Sequence, residues 1–300
     1  MIEIKLQPNL PQTGSHHLPN MTRRVLALSA IAMIAFASNS LLCRLALRDT
    51  RIDAATFTLV RLLSGAVALW LIVRLRRESL AGAGSWFSAL ALFVYAAAFS
   101  FAYLQLSAGT GALMLFGAVQ VTMIFWGFRR GERLDALQLM GLIIALTGLI
   151  VLLLPGLTAP PLLGSVLMLS AGVAWGIYSL HGKGVTNPIA ATSGNFTRAV
   201  PFAFVMILAA IPWLRIDSLG VSYAILSGAV TSGLGYVIWY QALPGLKATS
   251  AATVQLSVPV LAAAGGILLL GEAITLRYLL ASCAVLGGIA LVLIEKQRRV

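Results

Sequence analysis

The sequence predicts an all-α membrane protein: ten transmembrane helices, built as two inverted five-helix repeats around a central cavity. Three observations carry this. Of 300 residues, 59% are hydrophobic and 10% charged, where a soluble domain carries roughly 25% charged residues. Mean hydropathy is +0.94. Ten apolar runs approach the ~20 residues that a helix needs to cross a bilayer, at about 25–47, 56–75, 86–106, 109–128, 136–154, 162–182, 191–212, 219–243, 249–270 and 277–295. Finally, a sparse pattern occurs twice in the same order. Arg130-Gly131-Glu132 with Gly148 returns 140 positions later as Leu270-Gly271-Glu272 with Gly288. Arg61, Phe99 and Tyr103 return 137 positions later as Arg198, Tyr236 and Tyr240. Five spans per copy force the second copy to cross the membrane in the opposite sense, an arrangement that puts a binding site at the repeat interface.

Residues 1–24 read as a disordered cytoplasmic tail, polar and proline-rich at first, without the apolar core of a signal peptide. The first repeat spans 25–154 and the second 162–295. The net charge of +12 does not indicate nucleic acid, because the basic residues gather at span ends. With the N-terminus inside, 14 fall on the inner side (Lys5, Arg23, Arg24, Arg74, Arg76, Arg77, Arg129, Arg130, Arg133, Lys183, Lys247, Lys296, Arg298, Arg299) and 5 on the outer (Arg44, Arg48, Arg51, Arg215, Arg277). This bias puts both termini in the cytoplasm. The expected partners are therefore the lipid bilayer and a small-molecule substrate, with no nucleic acid. Ten spans complete a pathway within one chain, so a monomer is expected.

Taken in order, span one holds Asn39, the most polar residue near the centre of any span. Such a side chain must face protein or a wet cavity. Cys43, like Cys283 in span ten, reads as a buried small hydrophobe, and the two cysteines have no metal-ligand spacing. Span two opens with Arg61, whose counterpart in span seven is Arg198. Snorkelling to the headgroups is the plain reading of both, and holding a substrate carboxylate the alternative.

Span three carries Tyr95, Phe99 and Tyr103 at i, i+4 and i+8, one stripe on a helix. Gln120 lies inside span four. Gly141-xxx-Ala145 in span five and Gly172-xxx-Gly176 in span six are small-residue pairs that let backbones approach. Trp175 and Tyr178 share a face of span six, with His181 one turn on. Pro201 in span seven and Pro259 in span nine should kink their helices. Tyr236 and Tyr240 make a stripe on span eight, flanked by Trp239, and Gln255 lies in span nine. Trp70, Trp86, Trp213, Tyr223 and Tyr278 read as interfacial belt residues. The short breaks near Ser107 and Pro244 require tight hairpins.

None of the nine acidic residues falls at mid-span, where proton-coupled carriers often hold a relay. His181 is left as a possible coupling group, and Glu132 and Glu272 read as charges at helix starts. There is no HExxH, GxSxG or P-loop, so neither an enzyme nor a cofactor is expected.

The stretch from Gly228 to Leu243, with Ala248–Val260 and Leu269-Leu270-Gly271-Glu272, resembles the EamA-type repeat of the drug/metabolite transporter superfamily. Phe99–Leu153 resembles a more diverged copy. The resemblance implies ten helices around a central cavity and export of small metabolites by alternating access. Within the superfamily the pattern is most similar to the bacterial inner-membrane exporters of aromatic and other neutral amino acids. Where many members carry Trp-Gly in span one, this chain has Ser38-Asn39, while Trp175-Gly176 stands at the equivalent point of the second repeat. The resulting substrate-binding set is Asn39, Tyr95, Phe99, Tyr103, Gln120, Trp175, Tyr178, Tyr236, Trp239, Tyr240 and Gln255. The alternatives are a transporter of another metabolite, such as a nucleotide sugar, which would need cavity-facing arginines, and a membrane enzyme or scaffold, against which stands the lack of a mid-membrane catalytic constellation.

Overall fold

The computed structural model describes residues 23–80, 82–129, 136–154, 159–182, 185–246 and 254–298. Within them the chain is all helical, as it must be where no water can satisfy a free backbone group. The helices are α1 (Arg23–Asp49), α2 (Ala54–Leu75), α3 (Trp86–Tyr103), α4 (Ala108–Arg129), α5 (Ala136–Leu153), α6 (Leu162–Gly182), α7 (Pro188–Ala210), α8 (Ser218–Ala242), α9 (Ser257–Leu270) and α10 (Leu276–Arg298). The first eight are long and apolar enough to span a membrane, while α9 and the apolar part of α10, Leu276–Leu291, are shorter. This is a multi-pass membrane protein.

Local chemistry sets the helix starts. Asp53 accepts the Ala55 and Thr56 N–H groups at 2.9 Å each to open α2. Ser85, Asn187 and Asp217 do the same for α3, α7 and α8. Each satisfies a donor the helix itself leaves free. At its other end α9 closes on Gly271, whose φ of +63° suits glycine. Glu272 N–H then bonds the Gly266 carbonyl at 3.0 Å.

The most extensive helix contacts are α5 with α10, α1 with α8, α2 with α8, α3 with α6, α2 with α7 and α4 with α6. α1 packs on α8 and α9. Small residues set these approaches. Gly288 lies against the Gly141 carbonyl and Ala145, and Gly148 against Ala284 and Val285, joining α5 to α10. Gly172 and Gly176 lie against Leu115, Ala118 and Thr122 of α4. Gly228 of α8 lies against the Arg61 carbonyl of α2. Large apolar side chains such as Leu163, Val205, Leu208 and Leu268 point outward, as they do on a lipid-facing surface.

Several expectations are revised. α8 is not one regular helix: its ends, Ser218–Ile225 and Gly235–Ala242, are α-helical, and Leu226–Leu234 between them is a π-helix. Pro259 lies in the first turn of α9, directly after a one-residue break at Leu256 that separates α9 from the helical residues Val254 and Gln255. Pro201 does lie inside α7. Cys43 is buried, but Cys283 is exposed on the outer face of α10. Glu272 does not serve the start of α10. It accepts the Ala108 N–H of α4 at 2.8 Å and pairs with Arg44 at 3.3 Å. Glu132 lies outside the described residues.

Candidate functional site

A narrow central cavity sits among α1, α3, α4, α6, α8 and the residues leading into α9. Its volume is about 30 Å³. Six of the sequence-predicted residues line it: Asn39, Tyr95, Phe99, Trp175, Tyr236 and Gln255. They come from four helices and the lead into a fifth, so no local stretch of chain could have shown them together.

Trp175 is the centre of the aromatic wall. Its ring stacks on Tyr236 at 5.3 Å and 22°, and on Tyr178 at 5.3 Å and 25°. Tyr95 tilts against it at 4.9 Å. Phe36 closes the other side with edge contacts to Tyr236 and Trp239. Rings fixed in this way present flat faces and polar edges to a bound molecule.

The polar wall is a network. Ser227 donates to Asn39 Oδ1 at 2.7 Å, and Thr231, which donates to the Ser227 carbonyl at 2.8 Å, has its hydroxyl 3.4 Å from the same Oδ1. Asn39 Nδ2 donates to the Tyr95 hydroxyl at 3.3 Å, and Arg61 Nη2 donates to the same oxygen at 2.9 Å. Ser227 and Thr231 both belong to the π-helical middle of α8, and Ser232 beside them lines the cavity.

Arg61 does not snorkel. It is 2% exposed, in the third turn of α2, with its guanidinium carbon 5.1 Å from the Tyr95 ring centre and 4.9 Å from that of Phe99. The ring faces draw the cation inward and replace part of its hydration. Arg198, its counterpart in the sequence pattern, behaves otherwise. It donates to the Ala83 and Gly194 carbonyls and lies over Trp86, away from the cavity.

The other predicted residues lie around the cavity. Tyr103 is fully buried and donates to the Ala108 carbonyl at 3.2 Å, its ring against Gly111, so it clamps the α3–α4 hairpin. Tyr178 is buried behind Trp175 and accepts from Asn195 at 3.4 Å. Gln120 is buried on α4, one turn beyond the cavity-lining Phe116. Trp239 is buried and Tyr240 half-buried on the last turns of α8. His181 stands exposed at the end of α6, its ring 4.7 Å from Phe87 and its Nδ1 3.0 Å from the Ile177 carbonyl. Ser227, Thr231 and Asn195 are contributors that sequence reasoning missed. The clue was the run of small polar residues in span eight, which reads equally as plain packing.

A larger, more open hollow of about 230 Å³ lies at the Glu272 end, beside Gln105, Thr110, Ala263, Glu272 and Tyr278. It contains none of the predicted binding residues.

The family model of the EamA-like transporters matches residues 23–154 and again 162–294. The chain belongs to the EamA-like transporter family. An uncharacterized protein of Pseudomonas aeruginosa is 58% identical over 278 residues, covering 92% of this chain and 97% of that protein. Two uncharacterized transporters are also similar. One, from Archaeoglobus fulgidus, is 30% identical over 62% of this chain and 68% of its own. The other, YoaV of Bacillus subtilis, is 24% identical over 78% of this chain and 85% of its own. In a crystal structure of another protein the fold recurs with a TM-score of 0.64 at 16% identity, covering 93% of this chain and all of that one. As an EamA-like transporter, the protein moves small molecules across a membrane.

Proposed function

We propose that this transporter exports aromatic and other neutral amino acids across a bacterial inner membrane by alternating access. The observation that carries the reading is the central cavity, where Trp175 stacks on Tyr236 and touches Tyr95 while Asn39 and Gln255 supply polar edges. Stacked rings accept a flat side chain, and the amide edges accept an ammonium group or donate to a carboxylate.

Alternating access is proposed from the helix packing. The packing is consistent with a two-fold exchange of helices one to five with six to ten. α2–α7 and α5–α10 map onto themselves, α3–α6 corresponds to α8–α1, and α4–α6 corresponds to α9–α1. In this reading residues 25–154 and 162–295 are inverted copies that rock about the cavity. Both termini are cytoplasmic, and the chain acts as a monomer.

A nucleotide-sugar substrate fits less well. A diphosphate calls for several cations, whereas Arg198 is engaged with backbone carbonyls away from the cavity.

The test is flux into proteoliposomes of purified protein with labelled tryptophan, phenylalanine, threonine and methionine, with and without a pH gradient. Saturable flux competed by unlabelled aromatic amino acids is expected. No flux of any of the four from folded protein would overturn the amino-acid reading.

A further inference from the structure

Arg61 is an energetic anomaly. A guanidinium out of water in a membrane protein costs several kcal/mol unless it is matched by an anion. Among the described residues the ion pairs are Arg44–Glu272, Arg48–Asp49 and Arg76–Glu78. Arg61 is in none of them. Its Nη2 has the Tyr95 hydroxyl, but its Nη1 is buried with no hydrogen-bond partner. Two aromatic faces stand where a counter-ion would.

The consequence falls on Tyr95. A phenol oxygen has two lone pairs and one proton. Arg61 Nη2 and Asn39 Nδ2 are both pure donors, and both point at this oxygen. Its accepting capacity is used up, so its proton is left to be given away. Tyr95 lines the cavity. The hydroxyl is therefore preset as a donor, and the cation behind it polarises it further. Asn39 is held in this sense by Ser227, whose hydroxyl donates to Oδ1 at 2.7 Å.

We propose that Tyr95, backed by Arg61 and Asn39, is the anion site of the cavity and takes a carboxylate of the transported molecule. The Tyr95 hydroxyl donates directly to a carboxylate oxygen. Arg61 is a positioning residue that acts through Tyr95 and supplies the positive potential. The ligand class is a monocarboxylate with a flat or apolar body, because one guanidinium balances one negative charge. This deepens the proposed function and rests on its cavity, but it does not require that the ligand be an amino acid.

The test uses full-length protein in detergent and matched probes that differ only in charge: indole-3-propionate against indole-3-propionamide. Binding is followed by intrinsic tryptophan fluorescence and by ligand-induced thermal stabilisation. Wild type is expected to bind the carboxylate at least about tenfold more tightly than the amide, as one charge-assisted hydrogen bond allows. Tyr95→Phe is expected to erase the preference, Arg61→Gln to erase it too, and Arg61→Lys to keep part of it, all with monodisperse protein. A merely structural Arg61 would weaken both probes alike. No carboxylate preference in wild type overturns the site, as does a preference that survives in Tyr95→Phe. Flux separates this from the broader reading. Carboxylate preference without amino-acid flux removes the amino-acid assignment and keeps the anchor. Amino-acid flux that is unchanged in Tyr95→Phe does the reverse.

Discussion

Arg61 and Trp175 show what single residues add. Trp175 is the only ring in van der Waals stacking range of Tyr178 and Tyr236 together among the described aromatic pairs. Trp175→Ala is expected to lower tryptophan flux about tenfold, ~1.4 kcal/mol of lost stacking, with the size-exclusion profile unchanged. Trp175→Phe should recover most of it. Flux equal to wild type in the alanine variant would remove Trp175 from the binding wall. Much of this was legible in the sequence, since helical spacing aligns the aromatic residues of each span. What spacing cannot show is which face of each helix turns inward. Tyr103 shares the stripe of Tyr95 and Phe99, yet it sits where the chain turns into α4 and is held by the Ala108 carbonyl. The fate of Arg61 was equally hidden, because snorkelling and burial differ only in the neighbours that meet the side chain.

At the scale of elements, glycine decides how near helices come. A Cβ on Gly228 would run into the Arg61 carbonyl and the Ser64 hydroxyl. Backbone cannot step aside as a flexible side chain can. Gly228→Ala is therefore expected to destabilise the α2–α8 contact by about 1–3 kcal/mol, seen as a lower apparent Tm in detergent, although alanine is the better helix former. Gly182→Ala, where nothing lies within 4 Å, is the control and should leave Tm unchanged. Helix positions could largely be read from apolar length: the first eight runs fall close to α1–α8, while the ninth and tenth meet the shorter α9 and the apolar part of α10. The π-helical middle of α8 could not, because the small residues of Leu226–Leu234, among them Ser227, Thr231 and Ser232, carry no period that separates π from α winding. It packs against α1 and α2.

For the molecule as a whole, the Glu272 end is tied across four segments. Glu272 holds Arg44 and the Ala108 N–H, Arg44 Nη1 holds the Tyr103 carbonyl at 2.8 Å, and Arg48 holds the Leu270 carbonyl at 2.7 Å. Glu272→Gln should weaken this closure by about 1.5–3 kcal/mol. A cysteine introduced at Thr110, beside the hollow there, should then react roughly tenfold faster with a membrane-impermeant thiol reagent. An unchanged rate would show that this end does not open by releasing Glu272. The proposed orientation is checked with a C-terminal green fluorescent protein fusion, expected to fluoresce, and an alkaline phosphatase fusion, expected to be inactive. The π-helix bears on how such a molecule could move. Each residue of an α-helix turns the chain by about 100°, and a π segment is one wound more loosely than that. If Leu226–Leu234 tightened by a single residue, everything beyond it would turn like a key, carrying Tyr236 away from Trp175 and Trp239 away from Phe36. The Ser227 hydroxyl in that segment donates to Asn39 of α1 at 2.7 Å, a bond that such a turn would have to carry or break.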